Sequence, residues 1–149
     1  MSNNPHLAAK MLLEGYNCAQ AVLACCGRQF RLPKKTAIKV AQAFGGGMGR
    51  TGNICGAVTG ALMVIGLKHA VKNGQDISTK QLAHRLAQEF LSTFKTHHGS
   101  LLCKELLGCD ISTEEGFKLI HDKGLNKTIC SKLVTDAATI IENLLSSRK

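Results

Sequence analysis

Seven cysteines stand in this chain of 149 residues, and four of them share one kind of place. Cys18 directly follows Asn17, Cys55 comes two residues after Asn53, Cys103 three after Ser100, and Cys130 two after Thr128. Asn, Ser and Thr are the residues that cap helix N-termini. Each of the four sulfurs is therefore expected in the first turn of a helix, where unpaired N–H groups and the positive end of the dipole favour thiolate over thiol. The spacings of 37, 48 and 27 residues mean that only tertiary packing can bring them together. Four such helix starts meeting at one point would make a pocket for anionic sulfur. Its chemistry would be ligation of an iron–sulfur cluster for electron transfer, or cycling of cysteine pairs between dithiol and disulfide. The alternative is a zinc-binding or small-molecule-binding helical module without turnover.

Cys55 leads the set as the expected attacking thiolate. A glycine-rich turn (Gly45, Gly46, Gly47, Gly49, Gly52) precedes it, with Arg50 near and Asn53 as the expected cap. Gly56 and Gly60 follow it one helical turn apart and let another backbone come close. That small-residue face is also a candidate homodimer surface. Cys25 and Cys26 are expected in mid-helix, as core cysteines, and Cys109 follows a helix-ending glycine. An odd number of cysteines cannot all pair internally, and without an export signal they point to metal or redox chemistry before structural disulfides. There is no Cys-x-x-Cys, which removes zinc ribbons and thioredoxin-type motifs, and no Cys-x-x-Cys-His for covalent haem. His69, His97, His98 and His121 fall in expected last turns, where an imidazolium suits the dipole, and are read that way in preference to metal ligands.

The elements that must position these residues are helices. Pro5 to Glu14 reads as one, broken by Gly15, and Cys18 to about Gln29 as a second. Pro33 opens a third, and the Cys55 helix ends near Asn73-Gly74. Ser78 to His98 carries a stripe of Leu82, Leu86, Phe90 and Phe94, four apart each time. Short segments follow at 101–107 and from Ser112 or Thr113 to about Lys123, the latter with a capping box. A last helix from Thr128 aligns Leu133, Val134, Ala137, Ile141 and Leu144. No alternating strand pair, internal repeat or linker appears. The expectation is one all-α domain over residues 1–149, a bundle of six or seven helices.

Composition narrows the function. The net charge is +9, and from Gly15 to Gln75 there is no Asp or Glu against eight Lys and Arg. That balance favours anions: thiolates, a negatively charged cofactor, or an acidic partner. Trp is absent and aromatics are 4% of residues, so the stacking surfaces of nucleic-acid binders are missing. Gly47-Met-Gly-Arg-Thr-Gly52 fits the dinucleotide fingerprint, but no strand precedes it and no acidic residue follows until Asp76. No apolar run reaches membrane-spanning length. No signal peptide is recognisable, and the expected location is the cytoplasm.

Gly15-Tyr-Asn-Cys18-Ala-Gln-Ala-Val, Cys55-Gly-Ala-Val-Thr-Gly60-Ala, Cys103-Lys-Glu-Leu-Leu-Gly108 and Cys130 resemble the C-GCAxxG-C-C family of redox-active proteins over nearly the whole chain. The four matching cysteines are the four selected by the cap argument. The resemblance implies redox activity at Cys18, Cys55, Cys103 and Cys130, with a redox partner or a small thiol or disulfide as the counterpart. It extends to the helical part of split-Soret cytochromes, whose haem motif this chain lacks, so that only a cysteine site carries over. Cys25, Cys26 and Cys109 lie outside the family pattern.

Overall fold

The computed structural model describes residues 2–146. Eight α-helices make up the described chain: α1 (Asn4–Leu13), α2 (Cys18–Gly27), α3 (Lys34–Val40), α4 (Gly56–Lys68), α5 (Ile77–His98), α6 (Cys103–Leu107), α7 (Glu114–Asp122) and α8 (Leu125–Ser146). The all-helical expectation holds, but the count exceeds the expected six or seven. Gly108 (φ +72°) and Gly124 (φ +61°) adopt left-handed backbone, which ends a helix abruptly and keeps the short α6 and α7 distinct from α8. No helix is long and apolar enough to cross a membrane among the described residues.

The core forms around α2, which is buried from Ala19 to Gly27. It packs against α1, α3, α4 and α8. Its start is fixed by a complete capping box: Asn17 accepts from Gln20 N–H at 2.8 Å, and Gln20 Oε1 accepts from Asn17 N–H at 2.9 Å. The same two side chains reach across to the end of α3. Asn17 Nδ2 donates to Ala41 and Gln42 carbonyls, and Gln20 Nε2 to the Ile38 carbonyl at 2.9 Å. Before the cap, α1 closes on Gly15 with the paired bonds Tyr16 N–H to Met11 and Gly15 N–H to Leu12, the arrangement that turns a helix end sharply into the next segment. Met11 and Leu12 point inward and Leu13 outward.

Helix α4 lies on α2 through its glycines. A methyl group at Gly56 would sit 2.8 Å from Ala19 N, and one at Gly60 3.0 Å from Ala19 O. The close approach expected from these residues is therefore made within the chain, and this face is not free for a second copy. On the outer side α5 packs its stripe against α4 and α8, with Leu86, Phe90 and Phe94 buried as expected. Its far end, Gly99, adopts left-handed backbone as a helix stop. His98 there lies 3.1 Å from Asp136 and 4.6 Å, centroid to centroid, from Phe94.

Candidate functional site

Four segments deliver one cysteine each to a common cavity of about 180 Å³. Cys18 is the first residue of α2, placed by the Asn17 cap. Cys55 caps α4 itself: the helix begins at Gly56, and Asn53 instead donates to Thr51 Oγ1. The expected Asn53 cap is thus corrected. The reason is a two-residue antiparallel bridge between Ile54 and Leu102 that holds the chain extended up to Cys55. Cys55 N–H donates to the Leu101 carbonyl at 2.8 Å and Cys103 N–H to the Asn53 carbonyl at 2.7 Å. Cys55 and Cys103 thereby follow directly on the two bridged residues, each at a helix start. Leu102, not Ser100, is the cap position of α6; the Ser100 hydroxyl accepts from Leu102 N–H and donates to Glu105. Cys130 is corrected furthest. Because α8 begins at Leu125, right after Gly124, Cys130 is its sixth residue, and Thr128 is an interior residue whose hydroxyl bonds the Gly124 carbonyl.

The glycine turn closes the cavity beside these sulfurs. Residues 46–50 all take left-handed backbone, with φ between +61° and +67°. Gly47 is obligatory there, since a methyl group on it would lie 2.7 Å from the Cys103 Cβ and 2.7 Å from Asn53 N. Met48 and Arg50 take the same backbone without glycine's freedom, at a cost of about 1–2 kcal/mol each. Arg50 is held over the Phe117 ring, 4.1 Å from guanidinium carbon to centroid. The causes of the Cys55 shift are the Cys18 thiol, burial and the Ala57 and Val58 N–H groups, and the nearby Arg50 is not one of them.

The sulfurs differ in electrostatics despite their common cavity. All seven cysteines are free thiols. The Cys18 thiol lies within hydrogen-bonding reach of the Cys130 and Cys55 sulfurs, and those bonds, with burial, push it well above the usual thiol range. Cys55 shifts the other way: the Cys18 thiol favours its thiolate, as do Ala57 and Val58 N–H at the start of α4, and together they outweigh burial. No cap bond of ordinary geometry joins the sulfur to these N–H groups, so they act on Cys55 as dipoles, the weaker part of the effect. Cys103 begins a helix too, yet burial and the neighbouring sulfurs push it up to about 12. Cys25 and Cys26 lie elsewhere in the core, raised by burial, and Cys109 faces the Gly116 carbonyl at 3.9 Å. None of these three lines the cavity.

The rest of the wall comes largely from apolar side chains, among them Leu12, Leu107, Ile111 and Leu133. Tyr16, Phe117 and His121 also line it, and the sequence reading gave none of them a site role. His121 does lie in the last turn of α7. Its Nδ1 lies 2.9 Å from the Phe117 carbonyl, which fixes Nδ1 as the protonated nitrogen and leaves Nε2 as the acceptor in the neutral ring. The signal that could have found the pair is the spacing of Phe117, Ile120 and His121, one face of α7 at i, i+3 and i+4.

Four cysteines match the donor set of an iron–sulfur centre. They line one cavity, and among the described residues no group of three His, Cys, Asp or Glu is placed to hold a single metal ion.

Comparison with curated proteins and with solved structures finds no match. A family model does match, over residues 16–144, described as "Putative redox-active protein (C_GCAxxG_C_C)". The chain belongs to that family.

Proposed function

We propose that this chain, residues 1–149 acting as one domain, is a thiol–disulfide redox protein of the cytoplasm, with Cys55 as attacking thiolate and Cys18 as the thiol that resolves the intermediate. The observation that carries this reading is the placement of the two sulfurs, Cys18 at the start of α2 and Cys55 at the cap of α4, on one cavity; contact with the Cys18 thiol favours the Cys55 thiolate. A nucleophile must be ionised, and its resolving partner is best kept protonated until its turn. Cys55 attacks a substrate disulfide and releases one thiolate. Cys18 then gives its proton to a departing thiolate and attacks the Cys55 sulfur, releasing the second half of the substrate. The net change is reduction of one disulfide to one thiol and one thiolate, which takes any second proton from solvent, and oxidation of Cys18 and Cys55 to a disulfide. Cys130, the other neighbour of the Cys18 thiol, is the alternative partner for Cys18. Cys103 lines the cavity as a protonated thiol.

The test uses protein purified without air, with iron supplied during growth. Its visible spectrum, metal content and bound sulfide are measured, and then its free thiols are counted during mild oxidation, with peptide mapping of the bridge. The expected result is a colourless protein that loses thiols in pairs, reversibly, with Cys18–Cys55 as the first bridge. A brown protein with iron and sulfide, bleached by air, would instead assign Cys18, Cys55, Cys103 and Cys130 as cluster ligands. Stoichiometric zinc removed without change in redox behaviour would assign the binding-module reading.

A further inference from the structure

The cavity over Cys55 has a size, a wall and a mouth, and together they define what it admits. Its volume of about 180 Å³ is close to that of a dry cavity of about 150 Å³ that takes up benzene. One ring-sized group fits within it; a peptide or a large disulfide would extend beyond it. None of the residues that line it is acidic or carries a fixed positive charge, so the interior suits an apolar body.

The two aromatic rings of the wall are each covered from outside by a cation. Arg50 lies over Phe117 at 4.1 Å and Lys34 over Tyr16 at 5.8 Å. Both cations are exposed and neither lines the cavity, so a charged group that projects from the cavity past either ring would meet a solvated cation. Arg50 is held in place by the left-handed turn, with its N–H bonded to the Gly45 carbonyl at 3.0 Å. The ion pairs found among the described residues, His98–Asp136 and Lys132–Asp136, involve neither cation.

We propose that the substrate is a small disulfide with an apolar, ring-sized half and an anionic end, the apolar half entering the cavity toward Cys55 while Arg50 and Lys34 hold the anion at the mouth. This rests on the dithiol reading of the same site. It adds a selection rule that the dithiol chemistry alone does not require. The reaction balances as before: the Cys55–substrate bond forms as the substrate's S–S bond breaks, and the Cys18 proton goes to one of the two departing thiolates.

The experiment compares two aromatic disulfides of similar size on the reduced, full-length protein. Dithiobis(nitrobenzoate) carries a carboxylate on each ring, and dithiodipyridine is neutral. Each rate of Cys55 modification, located by mass spectrometry, is divided by that reagent's rate with a small free thiol. The anionic reagent is expected to be favoured about tenfold at low salt, a modest steering effect. Arg50→Gln and, independently, Lys34→Gln are expected to move the anionic-to-neutral ratio toward one, and Arg50→Lys to keep most of it. Equal normalised rates in the unaltered protein would overturn the anion rule while leaving the dithiol chemistry intact. Cys55 reacting with neither reagent faster than the free thiol would remove the dithiol reading, and this inference with it.

Discussion

Cys55 and Cys103 show why a helix start alone does not make a cysteine reactive. Both begin helices, both are buried, and they flank the same two-residue bridge. Yet one is shifted down and the other up to about 12. The difference lies first in the Cys18 thiol, which favours the Cys55 anion, and second in the Ala57 and Val58 N–H groups; at Cys103 burial is unopposed. Cys55 is therefore expected to be the first cysteine alkylated in the reduced protein, at a pH below the ordinary thiol range, with Cys26 and Cys103 last. Timed alkylation with peptide mapping checks the order. Cys18→Ala removes the largest cause of the Cys55 shift, so the Cys55 pKa should rise. The sign follows directly: a donor to the thiolate is lost, the thiolate fraction at a given pH falls, and the pH profile of Cys55 alkylation moves to higher pH. A profile unmoved by Cys18→Ala would show that the helix N–H groups alone set the shift. The meeting of the four cysteines at one cavity was expected from caps of which only Asn17 forms: Cys55 caps its own helix, Leu102 stands in for Ser100, and Thr128 lies inside α8. Their inequality was not legible in sequence, because it depends on which sulfur shares a proton with which, and that is decided by contacts between segments 37 or more residues apart.

At the scale of elements, α4 offers a matched test in its three glycines. Gly56 and Gly60 face α2 with no room for a methyl group, whereas Gly66, in the same helix, has nothing within 4 Å. Gly60→Ala should push α4 off α2 and cost roughly 1–3 kcal/mol, as overpacking does. Gly66→Ala should instead stabilise by about 0.5–1 kcal/mol, since alanine gives up less chain entropy in a helix. Denaturant titration of both variants reads the two signs. Equal destabilisation by both would mean that the α2–α4 contact is not the reason for Gly60. The cap at Asn17 was legible because it is local: a side chain bonds an N–H three residues on. The cap expected at Asn53 failed because a longer-range feature, the Ile54–Leu102 bridge, holds the chain extended for two more residues. Thr128 failed for the opposite reason. Gly124 turns the chain early, so the helix is already running when it reaches a residue whose type suits a cap.

For the molecule as a whole, the proposed bridge would tie α2 to α4 across the densest part of the core. Cys18 and Cys55 enclose a loop of 37 residues. On the chain-entropy account a crosslink of that span stabilises by roughly 3–4 kcal/mol, less whatever strain the bridge introduces. Strain should be small on the α2–α4 side, because the glycine contacts already hold the two backbones near van der Waals distance. It should also be small along the chain, because Asn17 and the Ile54–Leu102 bridge fix the two cysteines from opposite directions. Opposing the gain, oxidation removes the Cys18 thiol's bonds to Cys130 and Cys55, worth about 0.5–3 kcal/mol by analogy with other hydrogen bonds, more if the acceptor is charged. The balance favours the oxidised form, and its midpoint of thermal unfolding should lie several degrees above that of the reduced form, on the order of 2–10 °C for a chain of this size. The comparison is made by calorimetry on protein oxidised and then reduced again, so that the same sample supplies both values. Cys18→Ala should abolish the difference. An oxidised form that melts lower than the reduced one would mean that the bridge distorts the helix starts by more than the closed loop stabilises.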